Sequence, residues 1–349
     1  MLESFTIISC ERSLSKLGQK NSAFSRVAVK RLSNEKVEMS EIDNKADTPY
    51  YLHTNAVPLS AEGHVLHLGL RVGDVANKVI TVGSESRCKI LAELLDKENL
   101  VITTRSQRGF VTHTGTFNGV PVSIVMINMG YPNMDFFVRE VRAVTEGPLH
   151  IIRLGSCAGL RQDLPVGTIA VSSEGSVFIS QNTDAWMSDE TVGEEEEAKE
   201  PYVFHKVVPA DEHLSRVLIQ ELKAAFETGE AGGARSAVVG CLNASADSFY
   251  SSQGRIDPNF GDRNEDLVQT LLSRHPSAGS FEMETFHLLH LARICRKSVV
   301  HASAASLVYA NRVLDDAIAL DRVAEIERRA GEAVLRAITT TSLDANKKL

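Results

Sequence analysis

The 349-residue sequence predicts an α/β fold built on a mostly parallel or mixed sheet. Three observations carry that reading. Asn77-Lys-Val-Ile-Thr-Val-Gly83 is a short apolar run ending in Gly83-Ser-Glu-Ser-Arg87, and Ile90, Leu91, Leu94 and Leu95 follow at helical spacing: strand, turn, helix. A second helix, with Phe136, Phe137, Val141 and Val144 on its apolar face, leads into Ile151, Ile152 and Leu154, and strand–helix–strand at this spacing implies parallel pairing. The stretch His150-Ile-Ile-Arg-Leu-Gly-Ser-Cys-Ala-Gly-Leu160 has the two-sided apolar character of a buried parallel strand, yet carries Arg153 in its middle before a small-residue turn.

That arginine is the first functional signal. A charge buried alone is too costly to keep, so Arg153 needs a negative partner. Gly155, Ser156, Ala158 and Gly159 let the backbone approach a ligand, and Ser156 adds a hydroxyl beside exposed N–H groups, a combination suited to a phosphate oxygen. A structural carboxylate is the alternative partner. The turn after Gly83 repeats the theme: Ser84 or Ser86 caps the helix, and an anion at its N-terminus would meet free N–H groups, the dipole and Arg87.

Composition bounds what such a site can belong to. A 43% hydrophobic and 23% charged chain is ordinary for a globular protein. The net charge of −8 argues against a nucleic-acid surface as its main business, while leaving room for a small anionic ligand held by local arginines. Cys10, Cys88, Cys157, Cys241 and Cys295 show no short metal-ligand spacing and predict reduced thiols in an intracellular, cytoplasmic protein without a metal site. No apolar run approaches the length of a membrane span.

Residues 1–60 read as a flexible N-terminal extension before a domain spanning 61–349. Arg12, Lys16, Lys20, Arg26, Lys30, Arg31 and Lys36 outweigh Glu3, Glu11 and Glu35, and no apolar centre of a secretory signal is present. A solvated tail is expected, with a mitochondrial transit peptide as the alternative. Regular structure is expected from His64–Leu70 onward. Asn118-Gly119 predicts a hairpin between Val111–Phe117 and Val122–Ile127, leaving Arg105 and Arg108 at an irregular edge. After a strand at Thr168–Ser172, an acidic insertion at about 181–203, centred on Glu194–Glu197, reads as a surface loop. Short buried strands are expected at Ala237–Leu242 and Ser298–Val308.

Between Asn243 and Arg255 the chain is polar and lacks a helical period. If it is extended there, Gln253 and Arg255 project to the same side. An amide and a guanidinium together match the alternating carbonyl, imide N–H and carbonyl edge of uracil, and Phe249 could stack on a flat ring. Ser280-Phe-Glu-Met-Glu-Thr285 is expected to open a helix carrying Phe286, Leu288, Leu289, Leu291 and Ile294. Its two carboxylates suit a helix N-terminus in any protein, while Glu284 could also accept hydrogen bonds from the vicinal hydroxyls of a ribose.

With these residues in view, the chain resembles the nucleoside phosphorylase family of the purine nucleoside and uridine phosphorylase type, nearest to its uridine phosphorylases. The likeness runs from about His64 to the C-terminal helix, with five motifs in the family's order. It implies a single-domain nucleoside phosphorylase-like fold, a mixed twisted central sheet flanked by helices, and reversible phosphorolysis of uridine to uracil and ribose 1-phosphate in pyrimidine salvage. Inorganic phosphate is then a co-substrate and no cofactor is needed. By resemblance, Gly83, Arg87, Arg108, Arg153 and Ser156 bind phosphate; Phe249, Gln253 and Arg255 bind the base; His67, Glu282, Met283 and Glu284 bind ribose. Arg255, Gln253 and Arg153 carry the chemistry. Arg108 and His67 are implied to reach the neighbouring subunit of a homodimer or a hexamer of dimers.

Three departures from the family pattern matter. Cys157 stands where relatives usually have Thr or Ser, exchanging a hydroxyl for a weak thiol donor. Gly109 replaces a glutamate that serves an interface cation in some bacterial relatives, so no potassium site is expected. Tyr309-Ala-Asn-Arg312 lacks the aspartate that purine-specific relatives carry, which favours a pyrimidine. The alternatives are a purine nucleoside phosphorylase, a nucleosidase of the same fold, or a non-catalytic nucleoside-binding or storage protein.

Overall fold

Eleven residues, Leu149–Gly159, form the central strand β5, and every one except Ser156 is buried. It runs parallel to β1 (Lys78–Val82), which places Arg153 beside Thr81, and parallel to β12 (Val300–Asn311) along its whole length. The computed structural model describes residues 51–187, 199–227 and 236–342. Most of the N-terminal extension and the Glu194–Glu197 centre of the insertion lie outside the described residues.

From β5 the sheet extends both ways. On one side β1 pairs in parallel with β4 (Val120–Met126), which continues through β3 (Val111–Phe117) to β2 (Ile102–Arg105) as an antiparallel meander. Asn118 and Gly119, with φ of 50° and 75°, make the tight turn between β3 and β4. On the other side, the end of β5 meets β11 (Ala278–Glu282), followed by β10 (Leu242–Ala246), β7 (Ser176–Gln181) and β8 (Tyr202–Phe204). Off this path, β12 also pairs with β6 (Ile169–Val171) and β13 (Asp316–Ala317), and β6 pairs with β9 (Val238–Gly240). The sheet is mixed, as expected.

Helices cover both faces because strand residues alternate. Ile80, Ile152 and Leu154 pack with α1 (Glu85–Ala92), α3 (Glu212–Glu227) and the C-terminal α6 (Leu320–Thr340), through Leu91, Leu214, Val334 and Ile338. Val79 and Ile151 point the other way, onto Phe137 and Val141 of α2 (Tyr131–Ala143) and Leu288 of α5 (Thr285–Ile294). A third cluster, including Leu242, Phe281 and Leu271 of α4 (Leu267–Arg274), lies under β7, β10 and β11. No described helix is long and apolar enough to cross a membrane.

The structure corrects several local expectations. β5 does not break after Leu154 but continues to Gly159, because β12 follows it along its length, with one register shift between Val308 and Ala310, and β11 joins it at Ala158 and Gly159. Ile102–Arg105 is an edge strand rather than irregular chain. His64–Leu70 is a series of turns with local backbone–backbone bonds, such as Val65 N–H to Leu70 O at 2.8 Å, while the N–H groups of His67 and Leu68 donate to the Glu140 carboxylate. Ala237–Leu242 splits at Cys241, where the chain leaves β6 and joins β7 and β11, and extended structure then runs on to Ala246. Ser280–Glu282 ends a strand, and α5 begins only at Thr285.

Candidate active site

Arg153 projects from β5 toward the β11–α5 junction and is 3% exposed. Its Nη2 donates to Glu284 Oε2 at 2.5 Å, and its Nε lies 3.5 Å from Glu282 Oε2. Gly155 makes this possible, since a Cβ there would stand 3.2 Å from Arg153 Nε and 3.1 Å from Ser306 Oγ. Even so, Nε and Nη1 of Arg153 are buried without a hydrogen-bond partner. An unsatisfied buried donor costs about 1–3 kcal/mol, and more when charged, so these two nitrogens are able to take an anion.

The two carboxylates differ. Glu282 accepts from Asn243 Nδ2 at 2.8 Å, from the Ser245 hydroxyl, and from the backbone N–H groups of Glu284 and Thr285 at 3.0 Å. Burial pushes its carboxyl up, but Arg153 and these donors hold it below the usual range. Glu284, at the N-cap of α5, accepts from Gly130 N–H at 2.6 Å in addition to Arg153. For Glu284 burial prevails and the carboxyl is raised. The scaffold saturates Glu282 and leaves Glu284 closer to a ligand-binding role, with half-buried Met283 between them.

Gly83 approaches the same guanidinium: a Cβ there would lie 3.3 Å from Asn128 O and 3.9 Å from Arg153 Nη2. Ser84 caps α1 by accepting from Arg87 N–H at 3.3 Å. The Arg87 side chain is committed differently from Arg153. Nε and Nη2 both donate to Glu327 Oε1 of α6, at 2.9 and 2.6 Å, Nη2 also contacts the Tyr309 hydroxyl at 3.2 Å, and Nη1 donates to Leu154 O at 3.2 Å. Of five guanidinium hydrogens, only one on Nη1 is left for a ligand in this state.

The base candidates form a compact unit. The guanidinium of Arg255 lies 3.6 Å over the Phe249 ring, and its Nη1 donates to Phe249 O and to Gln253 Oε1, each at 2.5 Å. Gln253 is buried, and its Nε2 donates to the Glu282 backbone carbonyl at 3.2 Å. This fixes which way the amide points. Burial pulls Arg255 down to about 10, so it stays charged through neutral pH. Arg312, just past β12, donates to the backbone carbonyls of both Gln253 and Gly254. Contacts therefore run without interruption from Arg255 through Gln253, Glu282 and Glu284 to Arg153 and Gly83.

The remaining candidates make no hydrogen bond to Arg153, Glu282 or Glu284 among the described residues. Ser156 is half-buried and its hydroxyl makes no hydrogen bond to a described residue. Cys157 packs with Leu164, Ala170, Cys241 and Val308, and burial raises its thiol well above the ordinary value. It fills an apolar pocket rather than presenting a donor. The Arg108 guanidinium is exposed and free of hydrogen bonds and ion pairs to the described residues. His67 stacks on Phe136 at 3.8 Å, and its Nδ1 meets Glu140 Oε1 at 2.6 Å. Neither side chain bonds to Arg153 within its own chain.

Sequence reasoning did not find Glu327, Glu140, Asn243, Ser245, or Tyr309 and Arg312 as positive contributors. Only the two glutamates carry a readable signal. Glu140 lies in the apolar stripe between Phe137 and Val141, and Glu327 follows Ile326 on the inner side of α6.

Residues 77–341 match the family model described as the phosphorylase superfamily. A uridine phosphorylase of Thermococcus kodakarensis is 28% identical over 74% of this chain and 82% of its own. A solved structure from a structural and catalytic analysis of two diverse uridine phosphorylases in the oomycete Phytophthora capsici is 43% identical, covering 84% of this chain and 99% of that one, with a TM-score of 0.77. A DeoD-type purine nucleoside phosphorylase of Exiguobacterium is 30% identical, over 34% of this chain and 48% of its own length.

Proposed function

Because this chain belongs to the phosphorylase superfamily, we propose that it is a uridine phosphorylase, a pentosyltransferase that converts uridine and inorganic phosphate reversibly into uracil and ribose 1-phosphate in pyrimidine salvage. The observation that carries the reading is the buried Arg153 with Nε and Nη1 unpartnered, joined by continuous contacts to the Gln253–Arg255 pair. One end of that chain suits an anion and the other suits a planar ring with alternating donors and acceptors.

In this reaction phosphate attacks the anomeric carbon as the glycosidic bond to the base breaks. No protein nucleophile is required and no cofactor is invoked. Arg153 is the principal anion ligand, supported by the backbone at Gly83, the Ser156 hydroxyl and the one remaining hydrogen of Arg87. Holding the second reactant in line removes much of the entropic part of the barrier. Charge develops on the departing uracil, where Arg255 and Gln253 stabilise it, and Phe249 offers its ring face. Glu284 takes the ribose hydroxyls and Met283 packs against the sugar, while Glu282 holds the β11–α5 junction in shape.

Arg108 and His67 make no hydrogen bond to Arg153, Glu282 or Glu284 of their own chain, which supports the proposal that they complete the site of a neighbouring subunit in a homodimer or a hexamer of dimers. A cytoplasmic location belongs to the same proposal and rests on the scattered free thiols. The test is a spectrophotometric assay on uridine, thymidine and inosine with and without phosphate. Uracil release that requires phosphate is expected. Release without phosphate would make the protein a nucleosidase, preference for inosine would make it a purine enzyme, and absence of turnover would leave a binding protein.

A further inference from the structure

A single tryptophan occurs in the sequence, Trp186, and it is tied to the segment that carries the base residues. It lies in the short 3-10 turn Thr183–Trp186 that follows β7. Its indole N–H donates to Gly261 O at 2.7 Å, and the guanidinium of Arg263 lies 4.6 Å over its ring. Arg263 also returns a bond, from Nη2 to Ala185 O at 2.8 Å. Two backbone-directed hydrogen bonds and one cation–π contact thus lock two surface segments together.

The backbone at Arg263 gives this lock its meaning. Its φ is 50°, in the left-handed region that costs a side-chain-bearing residue about 1 kcal/mol or more. The contacts of Arg263 with Ala185 and Trp186 hold it there. The next residue, Asn264, is buried, and its amide donates to Ser251 O at 2.9 Å and Arg255 O at 3.0 Å, carbonyls on either side of Gln253. Tyr202 adds a second strut, its hydroxyl lying 2.7 Å from Ser251 Oγ and donating to Asp262 O at 2.6 Å. The path from the indole to the base residues therefore runs through Gly261 and Arg263 to Asn264, and from there to the two ends of the Ser251–Arg255 turn.

We propose that Trp186, acting through Arg263 and Asn264, is a positioning residue for the base site, holding the Gln253–Arg255 turn in the register that binds uracil. It touches neither phosphate nor base. Its effect is confined to the base half of the pocket, because none of its contacts reaches β5, α1 or the β11–α5 junction. This inference rests on the uridine phosphorylase reading and adds a residue to it.

The experiment compares Trp186→Phe and Arg263→Asn with the wild type. Phenylalanine keeps an apolar ring and deletes the indole donor. Asparagine tolerates the left-handed backbone and deletes the guanidinium. Each is expected to raise KM for uridine roughly three- to tenfold, the effect of losing one or two positioning contacts, while KM for phosphate stays within about twofold. In the wild type, uracil should change the Trp186 fluorescence saturably and inorganic phosphate alone should not. Unchanged uridine KM in both variants, or equal rises in both KM values, would overturn the positioning role. A wild type that fails to turn over uridine would instead overturn the functional reading, so the two failures are separable.

Discussion

Arg153 and Glu284 are joined by a 2.5 Å hydrogen bond between two buried charges, and the bond leaves the arginine incompletely satisfied. This geometry supports the proposal that the pair serves a ligand as well as the fold. Arg87 is nearly saturated by comparison, through Glu327, Tyr309 and Leu154 O, and keeps one hydrogen on Nη1. Arg153 keeps Nε and Nη1 without a hydrogen-bond partner, while its Nη2, nearest to Gly83, serves Glu284.

Arg153→Lys retains the charge and loses the planar fork. A single ammonium cannot serve Glu284 and a phosphate oxygen in the same geometry. The expected result is a fall of about 100-fold or more in kcat/KM for phosphate, in line with the loss of a preorganised charge-stabilising donor. Steady-state kinetics at varied phosphate and saturating uridine check it. A variant within a few fold of wild type would remove Arg153 from the anion site.

Glu284→Gln keeps an acceptor for Gly130 N–H and gives up the charge that ribose hydroxyls would donate to. Hydrogen bonds to charged groups contribute about 1.5–3 kcal/mol, so kcat/KM for uridine should drop by one to two orders of magnitude. The preference for uridine over 2′-deoxyuridine should narrow at the same time. An unchanged preference would show that Glu284 does not read the vicinal hydroxyls.

Much of this architecture was legible in the sequence because it depends on local pattern. The Asn118-Gly119 turn, the apolar run around Arg153 and the helix carrying Phe137 and Val141 follow from short-range periodicity and turn chemistry. The site was legible where a polar residue interrupts an apolar run, as at Arg153, or where two polar residues share one side, as at Gln253 and Arg255. Partners supplied from far along the chain were not. Glu327 meets Arg87 across 240 positions and Glu140 meets His67 across 73, and no local pattern specifies such a pairing. The end of β5 departs from local preference for a similar reason: glycine and serine normally end a strand, but here the long β12 partner overrides that preference.

Acid should destabilise the fold through two desolvated histidines, buried His150 and half-buried His287. Burial lowers both His150 and His287 to about 4, so each is neutral in the folded state at pH values where an unfolded histidine binds a proton. Their contribution is complete above pH 6.5 and is lost as the pH falls toward 4. His150 is 4% exposed, with Thr341 Oγ1 at 3.0 Å and His301 packed edge-on at 4.8 Å, and it alone should account for about 3 kcal/mol over that range. Urea midpoints measured between pH 7 and 4.5 should decline steeply in the wild type and less steeply in His150→Gln. Parallel declines would assign the acid sensitivity to other groups.

Arg108 provides a test of assembly that does not depend on any one rate constant. Its guanidinium is exposed and makes no hydrogen bond or ion pair to the described residues of its own chain. If it completes the neighbour's site, Arg108→Ala and Arg255→Ala should each abolish most activity alone, yet co-expressed subunits should recover part of it. In a mixed dimer one site then carries both lesions and the other carries neither, so random pairing restores roughly a quarter of wild-type activity. If Arg108 serves its own subunit, every site retains one lesion and nothing is recovered. Activity of the co-purified mixture, compared with each variant alone, separates the two cases, and a fully active Arg108→Ala protein would remove the residue from the site altogether.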